Sequence, residues 1–155
     1  MSNLETRSKR LAFTIIITVF LFLSSAVMIC SASETTDDGT SSVEKVEVYH
    51  FHLKHQCYSC IRLGELAEQT VNKNFADELE SGKIVFGHLT VDDPTDKEIV
   101  DKYSASGSSL MIGVYTPDGF KVEEDTKVWY KLGNPDEYEA YLKDLIEKRL
   151  SGNMN

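Results

Sequence analysis

Apolar and polar residues alternate through Val46-Glu47-Val48-Tyr49-His50-Phe51-His52, a run rich in β-branched and aromatic side chains that predicts a β-strand. Beyond it the period lengthens. Ile61, Ala67, Val71, Phe75 and Leu79 recur at nearly every fourth place, which predicts one amphipathic helix from about Cys57 to Leu79, ended by Ser81-Gly82. Ile84 to Val91 is apolar on both faces, the pattern of a central strand. Asp92-Asp93-Pro94 reads as a helix start with an acidic cap and a proline in the first turn, leading into a short helix over 95–104. Leu110 to Tyr115 predicts a third strand, Thr116-Pro117-Asp118-Gly119 a turn, and Phe120 to Tyr130 the returning strand of a hairpin. Asn134-Pro135 then caps a last helix burying Tyr138, Tyr141, Leu142, Leu145 and Ile146.

The first third of the chain is different material. Residues 11–33 carry no charge, and Arg7, Lys9 and Arg10 precede them. Such a run is long enough to span a hydrocarbon core of about 30 Å as a helix. It reads as a transmembrane anchor or a signal peptide. The uninterrupted length favours a retained anchor, while Cys30-Ser31-Ala32 offers the small residues of a cleavage position. Val27-Met28-Ile29 lacks the small residue expected before a lipid-modified cysteine. With the basic flank 1–10 held in the cytoplasm, the rest of the chain faces outward. Residues 34–43 are acidic and small-polar at their start and read as a flexible linker, 44–150 as the folded domain, and 151–155 as a disordered tail. The expected location is thus membrane-anchored with the domain extracytoplasmic, or secreted or periplasmic if the segment is cleaved.

Charge and cysteine count narrow the function. The whole chain has a formal net charge of −9, and three of its 16 cations but only one of its 25 acids precede the apolar run. The domain is therefore more acidic than the chain as a whole, which argues against nucleic acid or an anionic lipid surface as partner. Of 3 cysteines, Cys30 lies in the apolar run, leaving Cys57 and Cys60 alone in the domain. A bridge across so short a loop restrains the unfolded chain little, so stability is a poor reason for the pair. Placed where a strand runs into a helix, Cys57-Tyr58-Ser59-Cys60 instead suits thiol–disulfide exchange. Unpaired N–H groups and the helix dipole favour the thiolate of Cys57, and Cys60, one turn on, can resolve the mixed disulfide.

The order β-α-β-α-β-β-α, the C-x-x-C after the first strand, and Tyr103-Ser104-Ala105-Ser106-Gly107 leading into a hairpin with an Asp-Gly turn resemble the thioredoxin-like superfamily over residues 46–150. The tether and apolar run resemble small membrane-anchored members of archaea and bacteria. Tyr49-His50-Phe51-His52 resembles more narrowly the subgroup labelled ArsF-like. The resemblance implies an α/β thioredoxin fold, a four-stranded mixed sheet flanked by three helices and preceded by an N-terminal apolar helix. It also implies a protein-disulfide oxidoreductase with Cys57 and Cys60 as catalytic residues. Protein or small-molecule thiols and disulfides would be its partners. The chain carries no nucleotide or flavin motif, so no cofactor is expected and a separate electron donor or acceptor is required.

The chain departs from the family pattern in two places. Ser109 stands where the family places a cis-proline against the sulfurs, and a cis bond before a non-proline residue costs about 2.5–4 kcal/mol, so a trans loop is expected. The buried acid of the family's first strand maps near His50, a candidate proton shuttle for Cys60. Lys54 and His55 are candidate thiolate stabilisers. A rival reading is a copper or zinc binding or delivery module using Cys57, Cys60 and His52 or His55. A third is a redox-inert interaction domain of a membrane complex. His88, Trp129 and Tyr130 read as structural.

Overall fold

A computed structural model of the chain describes residues 42–155. The basic flank, the apolar run 11–33 and nearly all of the linker lie outside the described residues, and with them the anchor and its topology. Among the described residues no helix is long and apolar enough to cross a membrane.

The strands are β1 (Lys45–His52), β2 (Ile84–Thr90), β3 (Ser109–Thr116) and β4 (Gly119–Glu124). The helices are α1 (Tyr58–Asn74), α2 (Ala76–Glu80), α3 (Lys97–Tyr103) and α4 (Pro135–Leu150), with a 3-10 turn at Lys127–Lys131. The strands form one mixed sheet in the order β2-β1-β3-β4. β1 runs parallel to β2 and antiparallel to β3, and β3 pairs antiparallel with β4. This is the α/β thioredoxin layout that the element order implies.

The alternation in β1 sends its side chains to two cores. Val46 and Val48 join Leu63, Ala67, Val71, Ile112, Val114, Tyr138 and Leu142 in the larger one, formed with α1 and α4. Tyr49 and Phe51 face the other way, onto Val100, Tyr103 and Met111. Glu47 shares this second face and is only 6% exposed. Tyr103 and Tyr115 hydroxyls donate to its Oε2 at 2.7 and 2.8 Å, and Lys45 Nζ donates to Oε1 at 2.7 Å. Burial opposes ionisation of Glu47, but these bonds and the nearby Lys102 charge outweigh it and hold the carboxyl below its ordinary range.

Several elements differ from the sequence pattern. The expected first helix breaks at Phe75 (φ −135, ψ 36), so among the described residues four helices accompany the sheet where three were expected. Ile61 is 44% exposed, and the buried stripe is instead Leu63, Leu66, Ala67, Thr70 and Val71. β2 is an edge strand, only partly covered, despite its apolar run. Asp93 does not cap α3. Its Oδ1 accepts Thr95 N–H in a local turn, and the helix begins at Lys97. The returning strand stops at Glu124 because Asp125 Oδ1 accepts Val128 N–H at 3.0 Å and turns the chain into the 3-10 segment. Trp129 packs against the larger core, but Tyr130 is 89% exposed. At the other ends, Val43 is already buried, and Met154 packs back onto the larger core. Arg149 Nη1 donates to Asn153 O at 2.6 Å, holding the last residues to α4.

Candidate dithiol site

A short loop over 53–57 joins β1 to α1. It is fixed at its base by Val91 N–H to His52 O at 2.8 Å and by Lys54 N–H to Asp92 Oδ1 at 2.9 Å. Cys57 is the N-cap of α1, in an extended conformation, and its Sγ accepts Cys60 N–H at 3.2 Å. A helix start leaves N–H groups without partners, and here a sulfur takes the place usually held by a Ser or Asp oxygen. No acidic residue lies in the first turn of α1 to oppose negative charge on that sulfur. Cys57 and Cys60 are joined in a disulfide with Cα atoms 5.1 Å apart. Cys57 is exposed and Cys60 half-buried, so the outer sulfur is the one an incoming partner can reach.

The surface around the outer sulfur is partly apolar. Tyr58 is 83% exposed and Leu53 43%. Beside the cysteines, Tyr58, Ser59 and Arg62 of α1 face Leu132, Gly133 and Pro135 across an open depression of about 420 Å³. Ser109 opens β3 opposite Phe51 and is 6% exposed. Among the described residues there is no cis peptide bond, so the Ser109 loop is trans. Lys54 and His55 are exposed loop residues, and among the described residues neither side chain hydrogen-bonds a sulfur. His52 is half-exposed, with Nδ1 against Leu53 O at 3.1 Å. Among the described residues no three His, Cys, Asp or Glu side chains converge as a metal site.

His50 packs against α1 close to the Cys60 backbone. It follows Val46 and Val48 on the α1 face of the sheet and is only 1% exposed. Its ring lies against Gly64, one turn along α1 from Cys60, and close to the Cys60 backbone. Burial, then the neighbouring His88 and His52 rings, push the His50 imidazole down to about 4, while the Cys60 backbone acts in the opposite direction. The ring is therefore neutral at physiological pH. Its Nδ1 sits 3.0 Å from Nδ1 of His88, its register partner on β2. Its Nε2 is buried with no hydrogen-bond partner. His88 Nε2 in turn lies 3.4 Å from Glu68 Oε2.

Sequence reasoning assigned His88 a structural place and passed over Glu68. A signal for both was present. Cys60, Gly64 and Glu68 are spaced by four and form one stripe of α1, and the only small member of that stripe sits where two rings must fit. Seeing that His88 meets the stripe required the parallel β1–β2 register, which spacing alone does not give.

No protein-family model matches the sequence, and no curated protein matches it. Among solved structures it is similar to the first two thioredoxin domains of Eps1p from Naumovozyma dairenensis, at 19% identity and a TM-score of 0.45. The match covers 76% of this chain and 39% of that one, so the chain spans about two fifths of that structure's length. A likeness this slight transfers no chemistry, which has to be read from the side chains themselves.

Proposed function

We propose that the chain is a thiol–disulfide oxidoreductase working through Cys57 and Cys60, its domain held outside the cytoplasm by the apolar segment 11–33. The observation that carries the reading is the cap of α1. An exposed sulfur accepts a helix N–H, and its half-buried partner stands one turn inward. In the reducing direction the Cys57 thiolate attacks one sulfur of a partner disulfide and expels the other as a thiol. The Cys60 thiol then gives up its proton and attacks Cys57 Sγ, which releases the second partner sulfur and leaves the Cys57–Cys60 disulfide. Two electrons pass to the partner disulfide, and a separate dithiol must return them. His50, neutral and buried close to the Cys60 backbone, is the candidate acceptor of that proton. The oxidising direction is the same sequence reversed.

The full chain and its variants in a protein-disulfide reduction assay test this reading. Cys57→Ser abolishes turnover, and Cys60→Ser accumulates mixed disulfides with partner proteins. Full activity in Cys57→Ser would overturn the assignment. Protease added to cells with a permeabilised envelope digests the domain if it faces outward. Protection there would remove the extracytoplasmic placement.

A further inference from the structure

β2 ends the sheet without the devices that keep an edge strand from pairing. From Ile84 to Val91 the sequence carries no charge and no proline, and its ladder with β1 runs without a bulge from Val46–Ile84 to His52–Thr90. The opposite edge, β4, carries Lys121, Glu123 and Glu124. Bonds at the two ends of the β1–β2 ladder fix which way the backbone of β2 points. Val46 N–H donates to Lys83 O and Val91 N–H to His52 O, so in this parallel pair the odd-numbered N–H and C=O groups of β2 face β1. Those of Ile84, Phe86, His88 and Thr90 face away from the sheet. Thr90 N–H donates to Asp96 Oδ2 at 2.7 Å, and among the described residues no group accepts from the N–H of Phe86 or His88. Both cores also run out at this edge. Phe86 is a partly buried member of the larger one, and Val85, Leu89 and Val91 are partly buried members of the second. A strand laid beside β2 would cover apolar surface on both faces of the sheet.

We propose that β2 pairs antiparallel with β2 of a second copy of this chain, about a two-fold axis through Gly87. Charge sets the direction. Lys83 bounds the uncharged run at one end and Asp92 and Asp93 at the other, so antiparallel pairing brings opposite charges together at both ends, whereas parallel pairing sets like against like. The outward-facing groups set the register. Phe86 and the partner's His88 exchange N–H and C=O bonds, as do His88 and the partner's Phe86, and Asp96 ends the ladder by holding Thr90 N–H. Gly87 then meets the partner's Gly87 at a close pair, with Cα atoms about 4.5 Å apart and no side chain between the backbones. Val85 faces the partner's Leu89 on the side of the second core, and Phe86 faces the partner's His88 on the α1 side. The strand is its own complement, as an isologous contact requires and as a strand of unrelated sequence would not be. Elsewhere the acidic excess of the domain opposes contact between two copies, and this strip carries none of it. Because β1 runs parallel to β2, the two-fold turns the two dithiols to opposite ends of the joined sheet, where both stay open to partners.

The test measures the mass of the full chain by light scattering across a dilution series, in mild detergent on account of the apolar run. The wild type is expected to form a dimer that dissociates on dilution. Val85→Lys and Leu89→Glu each weaken it by about tenfold or more, since each sets a charge against an apolar residue of the partner. An equimolar mixture of the two variants recovers the dimer, because the introduced charges then face each other across the axis, and recovery shows that both variants fold. Val122→Lys, at an exposed position of β4, leaves the dimer as it was. Amide hydrogen exchange of the wild type reads the register. The Phe86 and His88 N–H groups gain protection as concentration rises through the dimer range, whereas those of Val85, Gly87 and Leu89, bonded to β1, are protected throughout. Should Val85→Lys fail to fold, this alternation decides alone. A wild type still monomeric at about 1 mM, the weak limit of a specific contact, overturns the pairing. So does a dimer that neither substitution weakens, which is held by the apolar run or the dithiol face instead, and so does exchange at Phe86 and His88 that ignores concentration. Failure of the mixture of two folded variants to recover overturns the antiparallel register.

Discussion

Gly64→Ala is a change that helix propensity alone would recommend, and the structure predicts the opposite. In the interior of α1, alanine is favoured over glycine by about 1 kcal/mol. Here the new methyl would fall inside the van der Waals envelope of His50 Nδ1, at 2.7 Å from His50 Cε1 and 3.0 Å from His88 Cε1. His50 is 1% exposed and wedged between α1 and the sheet, so its ring can yield only by breaking the 3.0 Å contact with His88. Overpacking of this kind costs about 1–3 kcal/mol. Stranding a second buried ring nitrogen adds about 1–3 kcal/mol more. Set against the propensity gain, the net loss is on the order of 2–4 kcal/mol, a drop in Tm on the order of 10 °C for a domain this size. Urea or thermal unfolding of the full chain measures it. The decisive arm is His50→Val, which leaves room for a methyl. In that background Gly64→Ala is expected to cost far less, giving a coupling energy well outside error in a double-mutant cycle. A stabilised Gly64→Ala single variant, or additivity in the cycle, would refute the packing argument.

Three further outcomes follow from the same geometry. The unfolded His50 titrates near 6.5 and the folded ring near 4, so its contribution to stability is whole above pH 6.5 and is lost as pH falls toward 4. That loss is on the order of 2–3 kcal/mol, less where solvent screens the site, and urea midpoints of His50→Val should lack the slope in this window. Glu47, whose carboxyl is held low, adds an acid-side loss below its ordinary pKa of 4.5, and Tyr103→Phe, which removes one donor to it, lowers stability by about 1–3 kcal/mol in chemical denaturation. Gly113→Ala, whose methyl would fall 2.7 Å from Phe120 Cε2 and 2.8 Å from Tyr103 Cζ, is expected to cost about 1–3 kcal/mol by overpacking and to lose additivity with Tyr103→Phe.

The sequence pattern carried the element order and the place of Cys57 because both depend on local signals: alternation in β1, four-residue spacing in α1 and capping residues at the helix starts. It misplaced β2 as central because an apolar run records hydrophobicity, not which neighbours arrive to cover it. It ran β4 on to Tyr130 because a buried Asp125 that turns the chain through Val128 N–H looks, in sequence, like one more strand acid. The site divided along the same line. His50, two residues before the strand end and in phase with Val46 and Val48, could be placed on their face of the sheet from alternation alone, and near the cysteines only through the resemblance. The contacts of His88 with His50 and Glu68 could not, because they arise only where the parallel register and a helix stripe cross.

A neutral histidine at position 50, rather than a buried acid, shapes the electrostatics near the dithiol. A buried carboxylate beside the dithiol would repel a thiolate when ionised and would hold a proton when not. The neutral His50 ring does neither at physiological pH. Negative charge on Cys57 is then governed by the helix start, where its sulfur accepts Cys60 N–H and no acidic residue occupies the first turn. Thiolate stabilisation is then a property of the exposed start of α1, one turn away from the buried contact of Gly64 with His50. A substitution farther along α1 should leave attack by Cys57 unchanged. Slower attack by Cys57 on a small aromatic disulfide in Glu68→Gln would therefore show that a charge at that distance along α1 reaches Cys57, and that the helix start does not govern it alone.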